Sequence, residues 1–178
     1  MIENPPLIQI KKLTSRNRPS KKQIDSFKNV PTGFICDALN CYAALDTEIK
    51  PLFIPGKVVE HIVGPALTVF SGAADVLGMS IALGEIQPGD IVVNGVSGFQ
   101  GTAAVGDRIA GMIKNNGGIG LVTDGPMRDL QGIIETGLSC FCTGLNPNSP
   151  YNSGPAKIGY PTEIGGKTVS SGDIIVAD

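Results

Sequence analysis

Three charged residues near the middle of the chain have the types and the spacing to perform chemistry. Twenty residues separate Asp107 from the adjacent pair Arg128-Asp129. A carboxylate can hold a hard cation such as Mg²⁺, and a guanidinium beside it can neutralise an anionic substrate. Each charge falls where a strand is expected to give way to a helix. The pattern therefore favours a site that takes a cation and an anion together.

The segments around these charges alternate in the manner of an α/β fold. Runs rich in β-branched residues alternate with helical patterns, which predicts helices packed on a sheet of largely buried strands. The predicted strands are 58–59, 66–70, 91–93, 119–123 and 139–143, and the predicted helices are 74–85, 103–116 and 127–136. If the strands run parallel, the turns that carry Asp107 and Arg128 open at one edge of the sheet, where ligands bind in open α/β folds.

The helix after Gly106 is expected to present an acidic side chain and free backbone amides. Asp107 lies in its first turn, where the helix dipole favours a negative charge and the amides of Arg108 and Ile109 are available to a carboxylate. The helix is expected to pack on the sheet through an apolar stripe of Val105, Ile109, Met112 and Ile113.

The second turn repeats this plan. Strand 119–123 is followed by Asp124-Gly125, and Pro126 suits a first helical position, so that Arg128 and Asp129 fall in the first turn. An aspartate in a first turn also serves as an ordinary helix cap, and the charges could be caps only.

A glycine-rich segment offers a rival interpretation. Gly95, Gly98 and Gly101 stand between a predicted strand and a helix, as in a dinucleotide-binding fold. The spacing is GxxGxxG instead of GxGxxG, and Asp107 near that helix would repel a pyrophosphate. Nucleotide binding is therefore disfavoured.

Size and composition limit the function classes. The chain has 178 residues, 42% of them hydrophobic, and a net charge of −2, which predicts one soluble domain without a general attraction to nucleic acid or membranes. We find no membrane-length apolar run and no secretory signal. The four cysteines, Cys36, Cys41, Cys140 and Cys142, do not have the spacing of common zinc sites. Their apolar neighbours favour buried free thiols, which are typical of a reducing cytoplasm. The single histidine, His61, is expected to be a partly buried strand residue.

The chain is expected to divide at residue 30. Residues 1–30 form an arm that is irregular and solvated up to residue 19 and then continues as a short helix, which Ser20 and Gln23 begin with a capping box. Residues 31–178 form a single α/β domain with a helix at 34–45 and a surface loop at 146–159. Since the chain ends directly after a predicted strand, we expect further residues beyond Asp178. The basic residues of this segment could form a nucleic-acid patch, but no aromatic residue is interleaved among them, which favours a solvated arm instead. They are Lys11, Lys12, Arg16, Arg18, Lys21 and Lys22.

The charged motif resembles the RraA-like family, which includes 4-hydroxy-4-methyl-2-oxoglutarate aldolases with oxaloacetate decarboxylase activity. The family pattern of Gly-Asp/Glu, twenty residues and Arg-Asp within Asp-Gly-x-x-Arg-Asp matches Gly106-Asp107 and Asp124 to Asp129. Lesser matches are Cys36 to Leu39, Gly64 to Val69, Pro88 to Val93 and Gly172 to Asp178.

The resemblance implies a layered α-β-β-α sandwich of the swivelling phosphohistidine-domain type, assembled as a homotrimer or homohexamer. It implies Mg²⁺ or Mn²⁺ held at Asp129, with Asp107 in the outer shell. It further implies that Arg128 contacts the C2 oxygen of a 2-oxo acid, while the backbone from Gly106 through Arg108 to Ile109 binds its carboxylate. An acidic residue from a neighbouring subunit completes the site in the aldolases.

The expected function is therefore metal-dependent cleavage of a carbon–carbon bond in a 2-oxo acid, through a pyruvate enolate that Arg128 and the cation stabilise. Since the motif contains no lysine, a Schiff-base aldolase is disfavoured. The alternative is a regulatory protein that binds a ribonuclease or another protein without catalysis, as some members of the family do. Some of those members carry Gly at the position of Asp107, and the aspartate favours the enzyme branch.

Overall fold

The computed structural model describes residues 4–12, 16–52 and 61–178, so the strand predicted at 58–59 lies outside the described residues. The strands are β1 (Ile8–Ile10), β2 (Lys50–Pro51), β3 (Ile62–Ser71), β4 (Ile91–Gly95), β5 (Gly120–Thr123), β6 (Ser139–Cys142), β7 (Ala156–Ile158), β8 (Thr162–Ile164), β9 (Lys167–Val169) and β10 (Ile174–Ala177). The helices are α1 (Lys21–Asp25), α2 (Thr32–Ala38), α3 (Leu77–Ala82) with a 3₁₀ turn at Leu83–Glu85, α4 (Asp107–Asn115) and α5 (Leu130–Thr136).

One large mixed sheet forms the centre of the protein. Its order is β1-β7-β3-β4-β5-β6-β2, and β10 pairs antiparallel with the first half of β3. The four strands β3, β4, β5 and β6 run parallel, as the alternating sequence pattern predicted. Their carboxyl ends therefore meet at one edge of the sheet, and the loops that follow β4, β5 and β6 lie side by side there.

The two faces of the sheet are covered differently because side chains alternate along each strand. Val92 on β4 faces a core shared with Met79, Ala110 and Ile133 from α3, α4 and α5. Its neighbour Val93 faces a second core, to which β8, β9 and β10 contribute Ile164, Val169 and Ile175. The predicted α/β class is confirmed as a mixed α/β fold with a large sheet and helices, and the four-layer sandwich stays a prediction.

Both helices at the charged motif begin later than predicted. Helix α4 starts at Asp107 instead of residue 103, and α5 starts at Leu130 instead of residue 127. The residues before each helix are extended, since Val105 and Met127 pair with each other in a parallel bridge. The prediction that Pro126 occupies a first helical position is therefore wrong.

The predicted apolar surfaces of two helices are only partly buried. In α4 the predicted stripe residue Met112 is exposed, while Ala110 and Ile113 are buried. The helix predicted at 34–45 ends at Ala38, because Asn40 and Cys41 adopt left-handed backbone angles. Helix α3 is likewise shorter than its predicted range of 74–85. It begins at Leu77, whose amide donates to the side chain of Asp75.

The N-terminal arm is neither irregular nor solvated throughout, which corrects the prediction. Strand β1 extends the large sheet by pairing with β7, which also shortens the loop predicted at 146–159. The guanidinium of Arg18 donates to the carboxylate of Asp90, and Arg16 lies 4.0 Å from the same carboxylate. The capping box at Ser20 and Gln23 is confirmed.

The two Gly-Asp turns before β4 and β10 share one hydrogen-bond plan. The Asp90 carboxylate accepts the amide of Gln87 at 2.9 Å, and the Asp173 carboxylate accepts the amide of Ser170 at 2.8 Å. In each turn the backbone amide of the aspartate also donates to the carbonyl of the residue three positions before it, which is Gln87 or Ser170. Both carboxylates organise their turns, and that of Asp90 is fully buried whereas Asp173 is exposed.

The cysteines and the histidine follow the predictions in part. All four cysteines are free, with Cys140 and Cys142 buried, whereas Cys36 is half-buried and Cys41 exposed. His61 is partly buried as predicted, but it precedes β3 instead of lying in a strand. No helix in the described part of the chain is long and apolar enough to cross a membrane.

Candidate functional site

A small second ladder at the carboxyl edge of the sheet positions the charged motif. Val105, Met127 and Leu145 lie side by side in parallel bridges, one from each loop after β4, β5 and β6. The amide of Arg128 donates to the Val105 carbonyl at 3.2 Å, and the amide of Asn146 donates to the Met127 carbonyl at 2.9 Å. Three separate loops are thereby fixed to one another through their backbones.

This ladder brings Gly106 against the Arg-Asp pair. A Cβ atom built on Gly106 would lie 2.5 Å from Oδ2 of Asp129 and 3.1 Å from Cγ of Arg128. Any side chain at residue 106 would therefore displace both charged groups. The first loop and the second loop, predicted to share one edge of the sheet, are in contact at this point.

The carboxylate of Asp107 rests on the neighbouring helix α5. A Cβ atom built on Gly132 would lie 2.5 Å from Oδ2, 2.7 Å from Cβ and 3.0 Å from Cγ of Asp107. Gly132 was not among the residues predicted for the site. Its signal was a glycine inside a predicted helix, three residues after Asp129, which often marks a packing or functional requirement.

Arg128 and Asp129 form an open ion pair. Nε of Arg128 lies 3.2 Å from Oδ2 of Asp129, and the two side chains are 34% and 44% exposed. Asp129 adopts φ 62° and ψ 46°, a left-handed conformation that is unfavourable for a residue with a side chain. The prediction that both residues lie in the first turn is wrong, since Asp129 is the N-cap residue of α5 and Arg128 precedes it.

Neither aspartate acts as a helix cap. The N-cap Asp129 makes no side-chain hydrogen bond to α5, and the N-cap of α4 is Gly106, which has no side chain to offer. The Asp107 side chain has no hydrogen bond or ion pair within residues 4–12, 16–52 and 61–178. The capping alternative therefore loses its physical basis, and both carboxylates keep oxygen atoms for a ligand.

The first turn of α4 also supplies backbone donors. The amides of Arg108 and Ile109 lie in a turn whose amides lack intrahelical acceptors. The Arg108 side chain is exposed and Ile109 is half-buried, so the turn is accessible from solvent. These amides and the guanidinium of Arg128 offer partial or full positive charge near the two carboxylates.

The glycine-rich loop is closed by protein groups. The buried carboxylate of Asp124 accepts the amides of Val96 at 2.7 Å and Gly98 at 2.9 Å. Burial raises the pKa of Asp124, and these two amides act in the opposite direction. Because the amides already have an acceptor, the loop offers little to a phosphate.

Two amide side chains, those of Gln100 and Asn146, hold the glycine-rich loop against the loop that follows β6. Nε2 of Gln100 donates to the Asp124 carbonyl at 2.9 Å, and Nδ2 of Asn146 donates to the Gln100 carbonyl at 2.8 Å. The hydroxyl of Thr143 donates to Oε1 of Gln100 at 2.7 Å. This network was not predicted, because no local sequence pattern indicates contacts between residues 24 to 46 positions apart.

The sequence pattern of the RraA-like family (Aldolase/RraA) matches residues 32–178. A relative from Halalkalibacterium halodurans, provisionally named 4-hydroxy-4-methyl-2-oxoglutarate aldolase, is 35% identical over 155 residues, which cover 87% of this chain and 72% of the relative.

Solved structures give the same relationship. The structure of Streptomyces coelicolor RraAS2, described as an unusual member of the RNase ES inhibitor RraA family, has a TM-score of 0.77 and 26% identity, and covers 90% of this chain and 83% of that one. The RNA-processing inhibitor RraA from Thermus thermophilis has a TM-score of 0.74 at 21% identity, covers 84% of this chain and 88% of that one, and supports the fold alone. With this fold, the spaced acidic and Arg-Asp motif and the matched residues, the chain belongs to the RraA-like family.

Proposed function

We propose that this protein is a divalent-metal-dependent lyase that cleaves a carbon–carbon bond of a 2-oxo acid. The expected reactions are aldol cleavage of 4-hydroxy-4-methyl-2-oxoglutarate, decarboxylation of oxaloacetate, or both. One observation carries the proposal. Gly106 packs against the Arg128-Asp129 pair, Asp107 packs against Gly132, and neither aspartate carboxylate is used as a helix cap. The aldolase name of the relative from Halalkalibacterium halodurans supports the reaction class.

The residues present fit a hard cation that keeps most of its water. In the described ranges no group of three or more His, Cys, Asp or Glu residues could hold a metal ion. Mg²⁺ typically binds through one or two carboxylates and retains several waters, and Mn²⁺ accepts the same oxygen ligands. Asp129, nearly half exposed, would hold the ion and Asp107 would lie in the outer shell. When bound, the ion supplies a Lewis acid toward the carbonyl oxygen.

The side chains then divide the remaining tasks. Arg128 would donate to the C2 oxygen of the substrate. When the bond between C3 and C4 breaks, the electron pair stays on the C2–C3 enolate, and Arg128 would stabilise the negative charge that the C2 oxygen gains. The substrate carboxylate would accept the amides of Arg108 and Ile109 in the first turn of α4. Asp107 would orient water and hold a proton during retro-aldol cleavage.

The test is a direct assay of both reactions. Oxaloacetate decarboxylation and aldol cleavage are measured with Mg²⁺, with Mn²⁺ and with EDTA, and then in Arg128→Ala and Asp129→Ala. We expect EDTA to abolish turnover and each substitution to lower kcat on the order of 10²–10³-fold.

A matched control is Arg108→Ala, which removes a neighbouring guanidinium but keeps the backbone amide. Its activity should stay within about twofold of the parent, because the proposal uses only the main chain of that residue. Turnover that ignores EDTA and both site substitutions would refute the proposal.

A regulatory protein that binds a ribonuclease or another protein is the second candidate function. The likeness to Streptomyces coelicolor RraAS2 favours it, since that protein is described within a family of ribonuclease inhibitors. Capture of a ribonuclease by the purified protein in EDTA, together with no turnover of either 2-oxo acid, would establish this function in place of the lyase.

We also propose the assembly and layering that accompany the lyase. The protein would form a homotrimer or homohexamer in the cytoplasm, with residues 31–178 as one domain of the α-β-β-α sandwich type. A neighbouring subunit would complete the site with an acidic residue. Sedimentation equilibrium of the protein tests the assembly, and a monomer at micromolar concentration would contradict it.

A further inference from the structure

We propose that Gly132 is a positioning residue, whose missing side chain lets α4 and α5 approach closely enough to place the Asp107 carboxylate beside the Arg128-Asp129 loop. The contact itself is independent of any reaction. The catalytic consequence rests on the proposed lyase function.

The two helices are parallel and touch at two successive levels. At the first level Gly132 faces Asp107, and at the second, one turn further along both helices, Gly111 faces Thr136. A Cβ atom on Gly111 would lie 3.7 Å from Cγ2 of Thr136, which is an ordinary contact. A Cβ atom on Gly132 would instead lie 2.7 Å from Cβ of Asp107, which is too close.

A change of rotamer cannot relieve the contact at Gly132. The Cβ atom of Asp107 is fixed by the backbone of α4, and only its carboxylate can rotate away. A methyl group at residue 132 must therefore move the start of α4 as well as the carboxylate. The same start carries Gly106, which packs against Asp129, so the displacement reaches the ion pair.

Precise placement matters because Asp107 has no protein partner among the described residues to hold its carboxylate. Its position is set by packing against the Gly132 backbone and by the first turn of α4. A displacement of about 1 Å in a reacting group can cost on the order of 10²-fold in rate. A glycine inside α5 also sacrifices helix propensity, which is the expected sign of a positional requirement.

The experiment compares Gly132→Ala with Gly111→Ala, its matched control across the same pair of helices. Gly111→Ala should raise the Tm by about 2–4 °C because alanine favours a helix, and it should leave kcat within about twofold of the parent. Gly132→Ala should lower the Tm and reduce kcat by about 10²-fold, with a smaller change in KM.

A second background separates the contact from general damage. Asp107→Gly removes the three nearest atoms that the new methyl group would meet. In that background Gly132→Ala should raise the Tm, reversing the sign of its effect in the parent. The carboxyl ¹³C resonance of Asp107 should move in Gly132→Ala and stay unchanged in Gly111→Ala.

The outcomes distinguish this proposal from the proposed function. Sign reversal of the Tm effect, together with movement of the Asp107 resonance, supports the positioning role even if the parent protein turns over no 2-oxo acid, in which case only the lyase proposal fails. If Gly132→Ala matches Gly111→Ala in Tm, resonance and rate, the positioning role is refuted.

Discussion

Arg-Asp ion pairs lie at both ends of the parallel strands, and they are built for different purposes. Before β4, Asp90 is fully buried and accepts from Arg18 and from the amide of Gln87, with Arg16 only 7% exposed beside it. After β5, Arg128 and Asp129 are neighbours in sequence, remain open to solvent and adopt a strained backbone.

The difference shows how one pair of residue types divides between structure and chemistry. The carboxylate of Asp90 has its hydrogen-bonding capacity used by partners 72 residues away and within its own turn. Among the described residues the carboxylate of Asp129 has one ion-pair partner, Arg128, and it does not cap α5. A satisfied, buried pair fixes the chain, whereas an exposed pair held in an unfavourable conformation is available to a ligand.

The largest expected effect lies at the buried pair. Asp90→Ala leaves Arg16 buried without a carboxylate and removes the acceptor of the Gln87 amide. We expect a loss of roughly 3 kcal/mol in the free energy of unfolding, since breaking a buried pair strands the remaining charge. Urea unfolding measures it, and a loss below about 1 kcal/mol would remove the contrast between the two pairs.

The next effect lies at the open pair and concerns rate. Arg128→Ala should reduce lyase turnover on the order of 10²–10³-fold while the unfolding midpoint in urea stays almost unchanged. Arg18→Ala should do the reverse, because its guanidinium holds the N-terminal arm to Asp90. Activity that falls equally in both variants would show that the two ends are not independent.

A smaller effect on stability should separate the backbone strain at Asp129 from the function of its carboxylate. Glycine adopts the left-handed conformation of Asp129 without a steric penalty. Asp129→Gly should therefore raise the free energy of unfolding by about 1 kcal/mol while turnover is lost. A variant that is less stable than the parent would mean that the aspartate side chain itself stabilises the loop.

The thiols report whether the ladder between the loops stays closed. Burial raises the pKa of Cys140 to about 12 and also raises the pKa of Cys142, whose thiol donates to the Gly144 carbonyl at 3.3 Å. An aromatic disulfide reagent at pH 8 should label Cys41 at once and these two only after unfolding. Labelling of Cys142 in the native protein would show that the third loop opens.

The smallest effect is a pH dependence at a third carboxylate. A side-chain hydrogen bond from Thr32 lowers the pKa of Asp178, whose carboxylate is partly exposed. A lowered folded-state pKa means that this stabilisation is present above the ordinary aspartate range and disappears as the pH falls through the lowered value. The Tm of the parent should fall more steeply than that of Asp178→Asn below about pH 4. If the Tm of the two proteins falls equally with pH, the hydrogen bond from Thr32 to Asp178 does not contribute to stability.

The alternating sequence pattern was sufficient to predict the four parallel strands β3 to β6, because buried parallel strands produce continuous apolar runs. It did not predict β1, β2 and β7, which extend the large sheet. The pattern also placed Asp107 and Arg128 at one edge of that sheet, since consecutive parallel strands end together. The exact starts of α4 and α5 were not predictable, because pairing between Val105 and Met127 overrides the local preference for a helix.

Contacts between distant segments explain the remaining errors. Nothing local in the arm distinguishes a solvated arginine from Arg18, whose partner lies 72 residues away. Likewise a glycine within a helical pattern gives no indication of what it faces, and Gly132 gained meaning only from Asp107 on the adjacent helix. Sequence periodicity indicates which face of a helix or strand is buried, but it does not indicate which distant residues that face contacts.

The ladder of Val105, Met127 and Leu145 has a consequence for how this architecture diversifies. Its hydrogen bonds join main-chain atoms. Val105 and Met127 are themselves buried in the core, so the positions at which side chains can be exchanged are the more exposed ones displayed beside them, Arg128 and Asp129. Successive replacements at those display positions could alter which compound is accepted without rebuilding the frame. Such interchangeability would let one inherited scaffold serve both catalysts and inhibitors.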